Sequence, residues 1–293
     1  MDPTTGAAEE PAIFERHRPL LLGLAYRLLG SMWDAEDVVQ EAYLRWTRTG
    51  AAGIRDPRAF LVTIVSRLAL DQLRSARVTR EAYTGPWLPE PVPAGAFGPL
   101  ETAEMTDTLA YATLHMMERL SPPERAVFVL REAFELPYEQ IAGVLGVPAA
   151  TCRQHHHRAA ARLAEGRDRF RPAAADHTEL LGRFLDAARG GDLGALTELL
   201  ADDVVAWNDG GGRTRAALYP VEGPARVAAF IAGLASRYGL GATEIVEANG
   251  GPAVWTRIDG HGQLAVFDIR DGLIHAIYGV LNPDKLSRVR PPG

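Results

Sequence analysis

The chain has 293 residues, 47% of them apolar, a net charge of −6 and one cysteine, Cys152. That length suggests two or three domains with ample buried cores, and a lone cysteine excludes an intramolecular disulfide and any cysteine-built zinc cage. No apolar run approaches the roughly 18–20 residues of a membrane span, and the polar, acidic start from Met1 to Pro11 does not read as a secretory leader, so a cytoplasmic protein with no membrane partner is expected.

From about 12 to 80 the chain reads as helices. Residues 31–41 carry Asp34, Glu36, Asp37 and Glu41 with no Lys or Arg. Apolar residues at 35, 38, 39, 42, 43 and 46 form a one-sided stripe of period 3.6, with Ser31 as a plausible cap before Asp34. A second helix follows Asp56-Pro57, where proline suits the first turn. Residues 55–80 carry six Arg against Asp56 and Asp71.

Eight Gly and Pro fall between 84 and 99, and residues 81–110 hold five acids with no Lys or Arg, so an extended, solvated linker is expected. Helices resume near Glu101, with Met105, Leu109, Ala112, Met116 and Leu120 on one stripe. Ser121-Pro122-Pro123-Glu124 caps a further helix whose inner side is Val127, Leu130 and Phe134. Residues 151–171 carry six Arg against Glu165 and Asp168. Basic blocks alternating with acidic ones suggest two phosphate-facing surfaces, because local field steers a polyanion more than total charge does. Lys285 is the sole lysine and points to an arginine-biased composition.

After a break at 171–176, Leu180, Leu181, Phe184, Leu185 and Ala188 mark a helix ended by Gly190-Gly191. Then come a short helix, a strand at Val204 to Trp207, a Gly-rich turn and a helix opened by Gly223-Pro224. Strands follow at 242–248, 252–258, 263–270 and 273–280, the last two joined by an Asp271-Gly272 hairpin signal. Helices first and strands last give α+β for this part.

The sharpest local signal is Tyr138 to Pro148 followed by Ala149 to Leu163. Ile141 and Leu145 inward, a tight turn at Gly146 and a second helix make a helix-turn-helix. Cys152, His156, Ala159 and Leu163 form the inner stripe of that second helix, leaving Arg153, Gln154, His157, Arg158 and Arg162 outward, side chains suited to guanine, adenine and phosphate. His155, His156 and His157 point about 100° apart on a helix and cannot converge on one metal ion. Phe60, Thr63, Arg67, Asp71 and Arg74 share a helix face, as an unpaired strand with stacking bases would require, but the spacing fits a core aromatic and surface ion pairs equally well. Asp34, Asp37 and Glu41 read either as complements to a helix dipole or as a ridge for a basic partner.

In order, these segments resemble a known family. Asp34-Ala35-Glu36-Asp37-Val38-Val39-Gln40-Glu41-Ala42 resembles the region 2 helix by which sigma factors grip RNA polymerase. Phe60-Leu61 through Leu68-Ala69-Leu70-Asp71-Gln72-Leu73-Arg74 resembles the segment that melts and reads the −10 element. Ser121-Pro122-Pro123-Glu124-Arg125 through Arg158-Ala159 resembles region 4, which reads the −35 element. Region 3 is absent, as in the extracytoplasmic-function group, and the match spans about residues 12 to 170. Ser66-Arg67 stands where that group commonly has Arg-Asn, and His156 where an aliphatic residue is usual, so neither promoter sequence carries over.

The C-terminal part resembles a SnoaL-like cone. Trp87-Leu88-Pro89-Glu90-Pro91, Asp209-Gly210-Gly211-Gly212-Arg213 and Asn282-Pro283-Asp284-Lys285-Leu286 resemble the marks of a sigma subgroup in which a fused SnoaL-like domain modulates activity in place of an anti-sigma protein. The implied architecture is multidomain: two all-α sigma domains, a region 2 bundle and a region 4 helix-turn-helix, plus an α+β cone with a curved antiparallel sheet. The implied boundaries are 1–80, a linker at 81–104, 105–170 and 177–293.

The resemblance implies core RNA polymerase as a partner, through its clamp in the largest subunit and its flap in the second, with polymerase contact through Asp34, Glu36, Asp37, Gln40 and Glu41. It implies −10 contact through Arg55, Arg58, Phe60, Thr63, Arg67, Asp71, Arg74 and Arg77, and −35 contact through Thr151, Arg153, Gln154, His157, Arg158 and Arg162. The linker would thread the polymerase cleft. Interdomain regulation would fall to Trp87, Pro89, Asp209, Gly210, Gly211, Gly212, Arg213, Asn282, Pro283, Asp284, Lys285 and Leu286. No cofactor or metal is implied, and a small-molecule ligand of the cone is a further candidate partner. His177, His275, Asp209 and Asp268 are the cone's polar candidates, but strand spacing brings no two together, so no enzyme is expected. A helix-turn-helix regulator with a ligand-sensing cone, and a cyclase-like enzyme with a DNA-targeting module, are the alternative readings.

Overall fold

The computed structural model describes residues 3–50, 53–93, 95–98, 108–167, 177–258 and 260–289, with the side chains of 3–9, 76–79, 81 and 164–167 also outside the description. Two compact units emerge, and they do not follow chain order. One comprises 1–79, 95–109 and 116–165; the other comprises 80–94, 110–115 and 166–293.

The first unit is helical: α1 (Pro3–Leu29), α2 (Met32–Thr49), α3 (Pro57–Glu81), α5 (Pro122–Glu132), α6 (Tyr138–Leu145) and α7 (Ala149–Arg167), while most of α4 (Tyr111–Met117) belongs to the second unit. Ser31 caps α2 as expected, its hydroxyl accepting from Asp34 N at 3.3 Å. The stripe Ala35, Val38, Val39, Ala42 and Trp46 is buried. Ser121 and Glu124 form a capping box at α5. Gly146 takes φ 68° at the turn between α6 and α7, which a residue with a Cβ resists. Val144, with Ile141, fills the inward position expected of Leu145, which is half-buried, because the tight turn rotates the last residue of α6 outward. Arg27 is fully buried, donating to Thr108 Oγ1 and Gly23 O, while Arg125 donates to Arg27 O at 3.0 Å and pairs with Glu118. These charged hydrogen bonds fasten α5 to α1 inside an apolar core.

The second unit has α8 (His177–Gly190), α9 (Leu193–Glu198), β1 (Leu200–Asp209), β2 (Val221–Glu222), α10 (Pro224–Tyr238), β3 (Glu244–Ala248), β4 (Gly251–Ile258), β5 (His261–Arg270), β6 (Leu273–Val280) and a 3₁₀ turn Pro283–Lys285. The sheet order is β2-β1-β6-β5-β4-β3. It is mixed, not wholly antiparallel as expected: β3 to β6 meander through hairpins, but β1 joins the free edge of β6 in parallel. No tight hairpin links β1 to β6, so nothing local sets their relative direction. Asp271 and Gly272 both take positive φ, as a type I′ hairpin requires.

The sheet is buried on both faces. Helices α8, α9 and α10 cover one, with Leu181, Phe184, Leu196, Val227, Phe267 and Ile277 in its core. Leu88, Tyr111, Ala112, Leu286 and Val289 cover the other, over Trp255, Leu264, Val266 and Tyr278. The expected helical stripe therefore divides: Ala112 seats on the sheet beside Tyr111; Leu109, Met116 and Leu120 belong to the helical unit; and Met105 lies outside the described residues.

Candidate functional site: a linker clamp and two charged helix faces

The linker is extended but not solvated. Residues 88–92, Leu-Pro-Glu-Pro-Val, are all buried. Two prolines hold the segment extended without needing backbone donors, so Leu88 can cover the apolar face of the sheet, and burial of this segment outweighs hydration of the single acid. Glu90 is 3.4 Å from Arg288 Nε. Val92 exchanges hydrogen bonds with Asn249, and Pro93 bridges Ala248 at the end of β3, so the linker extends the sheet edge.

Asp209, the last residue of β1, is 0% exposed. Its carboxylate accepts from Tyr83 Oη at 2.7 Å, Leu88 N at 2.9 Å and Lys285 Nζ at 2.7 Å, and its carbonyl accepts from Leu281 N and Asn282 N. Lys285 also donates to Leu88 O at 2.5 Å and lies 4.1 Å from the centre of the Trp87 ring, with Arg80 3.7 Å from the same ring. Asn282 Nδ2 donates to Tyr83 Oη at 2.9 Å. Burial, then the hydrogen bond and charge of Asp209, push the Tyr83 phenol well above its usual range, so it stays a donor.

Three glycines shape this corner. At Gly210 a Cβ would strike the Thr214 carbonyl; at Gly211, φ 58°, it would overlap the Asn282 side chain and come within 2.8 Å of Tyr83 Oη; Gly212 has φ 69°. Pro89 O accepts from Tyr111 Oη at 2.6 Å. Leu286 is buried after the turn made by Pro283 and Asp284, and Arg213 makes a rim pair with Asp284. Of the residues expected at this contact, Asp209, Gly211, Gly212, Asn282 and Lys285 meet linker residues directly. Tyr83, Tyr111 and Asn249 were not among the residues expected here, while Lys285, expected in the regulatory set, neutralises the buried Asp209 carboxylate.

On α2, Asp34 accepts from Gln72 Nε2 and Glu41 pairs with Arg45, Glu36 is half-buried, and Asp37 and Gln40 face outward. Trp33 and Leu44 are 57% and 42% exposed on the same helix, an apolar component that the charge pattern did not flag. On α3, Phe60 meets Trp46 with ring centres 6.1 Å apart, Thr63 bonds Ala59 O, and Arg74 pairs with Asp71. Arg55 and Arg58 are exposed, and the Arg77 side chain lies outside the described residues. Arg67 donates to Val144 O at 2.9 Å and Gly143 O at 2.8 Å, the end carbonyls of the first helix of the helix-turn-helix.

On α7, Thr151 is half-buried while Gln154 and His157 are exposed, and Arg153 pairs with Glu139. Arg158 and Arg162 reach back to the buried carboxylate of Glu124, at 3.0 and 2.6 Å. Burial alone would raise the Glu124 pKa, but the Ser121 hydroxyl and amide and these guanidinium groups outweigh it and hold it low. His156 bonds Tyr138 and Glu132. In the cone, His275 pairs with Asp203 and Asp268 with Arg270, so neither joins Asp209.

Compared with known families, residues 13–79 match Sigma-70 region 2, 111–163 match Sigma-70, region 4, and 181–277 match the SnoaL-like domain. The chain is 39% identical, over 95% of its length and 93% of the relative's, to the ECF RNA polymerase sigma factor SigJ of Mycobacterium tuberculosis. This chain is an extracytoplasmic function sigma factor. The crystal structure of that Mycobacterium tuberculosis protein superimposes on this sigma factor with a TM-score of 0.77 at 35% identity, covering 95% of this chain and 99% of the other. The ferric citrate uptake sigma factor FecI of Escherichia coli is 30% identical over 52% of this sigma factor and 87% of its own length. Among the described residues no helix is long and apolar enough to cross a membrane.

Proposed function

We propose that this sigma factor engages core polymerase in the cytoplasm through the acidic ridge of α2, at the clamp of the largest subunit, with region 4 on the flap of the second. In this reading α3 reads the −10 element and α7 the −35 element, within the boundaries 1–80, 81–104, 105–170 and 177–293. The SnoaL-like domain acts as a regulator, not a catalyst, by holding the linker on its sheet.

The carrying observation is the clamp on the linker. A segment needed in the polymerase cleft cannot simultaneously cover a sheet face with Leu88, bond Asn249 through Val92 and bond Asp209 through Tyr83 and Leu88. Two states therefore compete for one stretch of chain, and whatever binds the free linker shifts the balance. The Arg67 contact acts in the same sense, because a guanidinium bonded to α6 carbonyls is withheld from an unpaired strand. Run-off transcription with purified core enzyme and limiting full-length protein tests this. Asp209→Ala is expected to raise output over the unaltered chain. Equal output would remove the regulatory role, and failure to co-elute with core enzyme at low salt would remove the proposed polymerase contacts.

A further inference from the structure

Glu124 lies in the first turn of α5, the helix before the helix-turn-helix, and its side chain is only 4% exposed. A buried carboxylate must be paired. Here Oε2 accepts from the Ser121 amide at 3.0 Å and the Ser121 hydroxyl at 2.7 Å, which fixes it at the start of α5. Its other partners come from α7: Arg158 Nε donates to Oε1 and Arg162 Nη1 to Oε2. One carboxylate thus ties down two arginines a helical turn apart.

Both guanidinium groups still reach solvent, with their side chains 50% and 53% exposed. Arg158 Nη2 also meets His155 Nδ1 at 2.8 Å. Arginine only donates, so that ring nitrogen accepts and the imidazole is neutral. Burial, then the charge of Arg158, hold the His155 pKa low, in keeping with this. A guanidinium carries five N–H donors; among the described residues Arg158 spends two of them and Arg162 one. The others remain for a partner. Arg153 is held differently: its ion pair with Glu139 has both side chains more than half exposed, and such pairs hold weakly.

This difference bears on recognition. A freely moving arginine meets phosphate wherever it finds it, and that attraction carries no sequence information. An arginine held from behind presents its donors from one position, so its fork can match one base pair and miss another. Fixing the side chain beforehand also removes part of the rotamer entropy that binding would cost. The carboxylate that does this is buried, so it cannot follow the guanidinium groups outward.

We propose that Glu124 is a positioning residue for DNA recognition: from the helix behind α7 it sets the direction in which Arg158 and Arg162 meet the −35 duplex, while His155 steadies Arg158. The proposal rests on the reading of α7 given above and names the residue through which that helix becomes selective.

The test uses holoenzyme assembled from full-length protein and core polymerase. It is mixed with a pool of fragments of a promoter that the unaltered chain transcribes, randomised over the −35 element, and bound and unbound fragments are sequenced. Glu124→Gln is assayed well below its melting temperature. Its preference for the best over the average sequence is expected to fall about tenfold, within the range of one arginine–base contact. The fraction of the pool retained should not fall, because the substitution adds one positive charge to this face and strengthens unselective attraction to phosphate. Val127→Ala loosens the buried core of the same helix without touching the arginines, and should keep the preference. In an Arg158→Ala, Arg162→Ala background, Glu124→Gln should have no further effect on preference. His155→Ala should give a smaller loss in the same direction, and decides the matter if Glu124→Gln does not fold. An unchanged preference in the deciding variant, a loss matched by Val127→Ala, or a further loss in the arginine-free background would overturn the proposal and leave the −35 reading standing. An unaltered holoenzyme with no preference across the randomised element would remove that reading, and the proposal with it.

Discussion

Removing the Asp209 carboxylate should free the linker. In the docked state that group is fully buried and receives three donors, one of them the Lys285 ammonium. Asp209→Ala leaves Lys285, whose side chain is only 12% exposed, with Leu88 O and two aromatic rings but no counter-ion. Breaking a buried ion pair by deleting one partner costs about 3–5 kcal/mol, because the other charge stays desolvated. At about 1.4 kcal/mol per decade, the ratio of docked to free linker should fall by roughly two to three and a half orders of magnitude. Hydrogen exchange reads this directly, since the Leu88 amide bonds Asp209 and the Val92 amide bonds Asn249. Both should exchange faster, while amides in β5 and β6 keep their protection. Lys285→Ala should give a similar effect, and the double variant less than the sum, because both remove one interaction. Unchanged protection at Leu88 and Val92 in either single variant would refute the clamp.

Three other outcomes follow from named contacts. Arg67→Ala deletes two charged hydrogen bonds to α6, each worth about 1.5–3 kcal/mol when shielded and less at this exposed position; the distance distribution between spin labels on α3 and α6 should broaden, and an unaltered distribution would count against the contact. The low pKa of Glu124 means its stabilising contribution is complete above the ordinary carboxylate value of about 4.3 and fades as pH falls through the lower folded value. In acid titrations followed by circular dichroism, Glu124→Gln should be less stable at neutral pH and converge with the unaltered chain in acid; a constant gap would argue against the assignment. Gly211→Ala puts a Cβ at φ 58° against Asn282 and Tyr83, which should cost at least about 1–2 kcal/mol and speed exchange at Leu88; a neutral effect would mean the loop yields.

Much of the fold was legible because its determinants are local. Ser31 three residues before Asp34, Gly146 between two helices, and Asp271-Gly272 between two alternating runs each act within a turn of chain. The segments of the linker clamp were named only through the family resemblance; their pairing was not legible from local pattern, because the partners are far apart in sequence: Tyr83 and Asp209 are 126 residues apart, and Lys285 and Asp209 are 76. Composition even pointed the wrong way, since prolines and an acid read as solvated chain until the apolar sheet face they cover is known. The outward set on α7 was correct in orientation, yet nothing local indicated that Arg158 and Arg162 would share Glu124. The parallel β1–β6 pairing was hidden because no turn joins those strands.

A chain with a single lysine offers chemists one side-chain amine, and here that amine sits in the ion pair with Asp209. A mild acylating reagent would therefore act as a gauge of clamp opening: Nζ is withheld while it is charged and bonded, and becomes nucleophilic once it is released to water. The extent of labelling would report clamp opening in the unmutated protein.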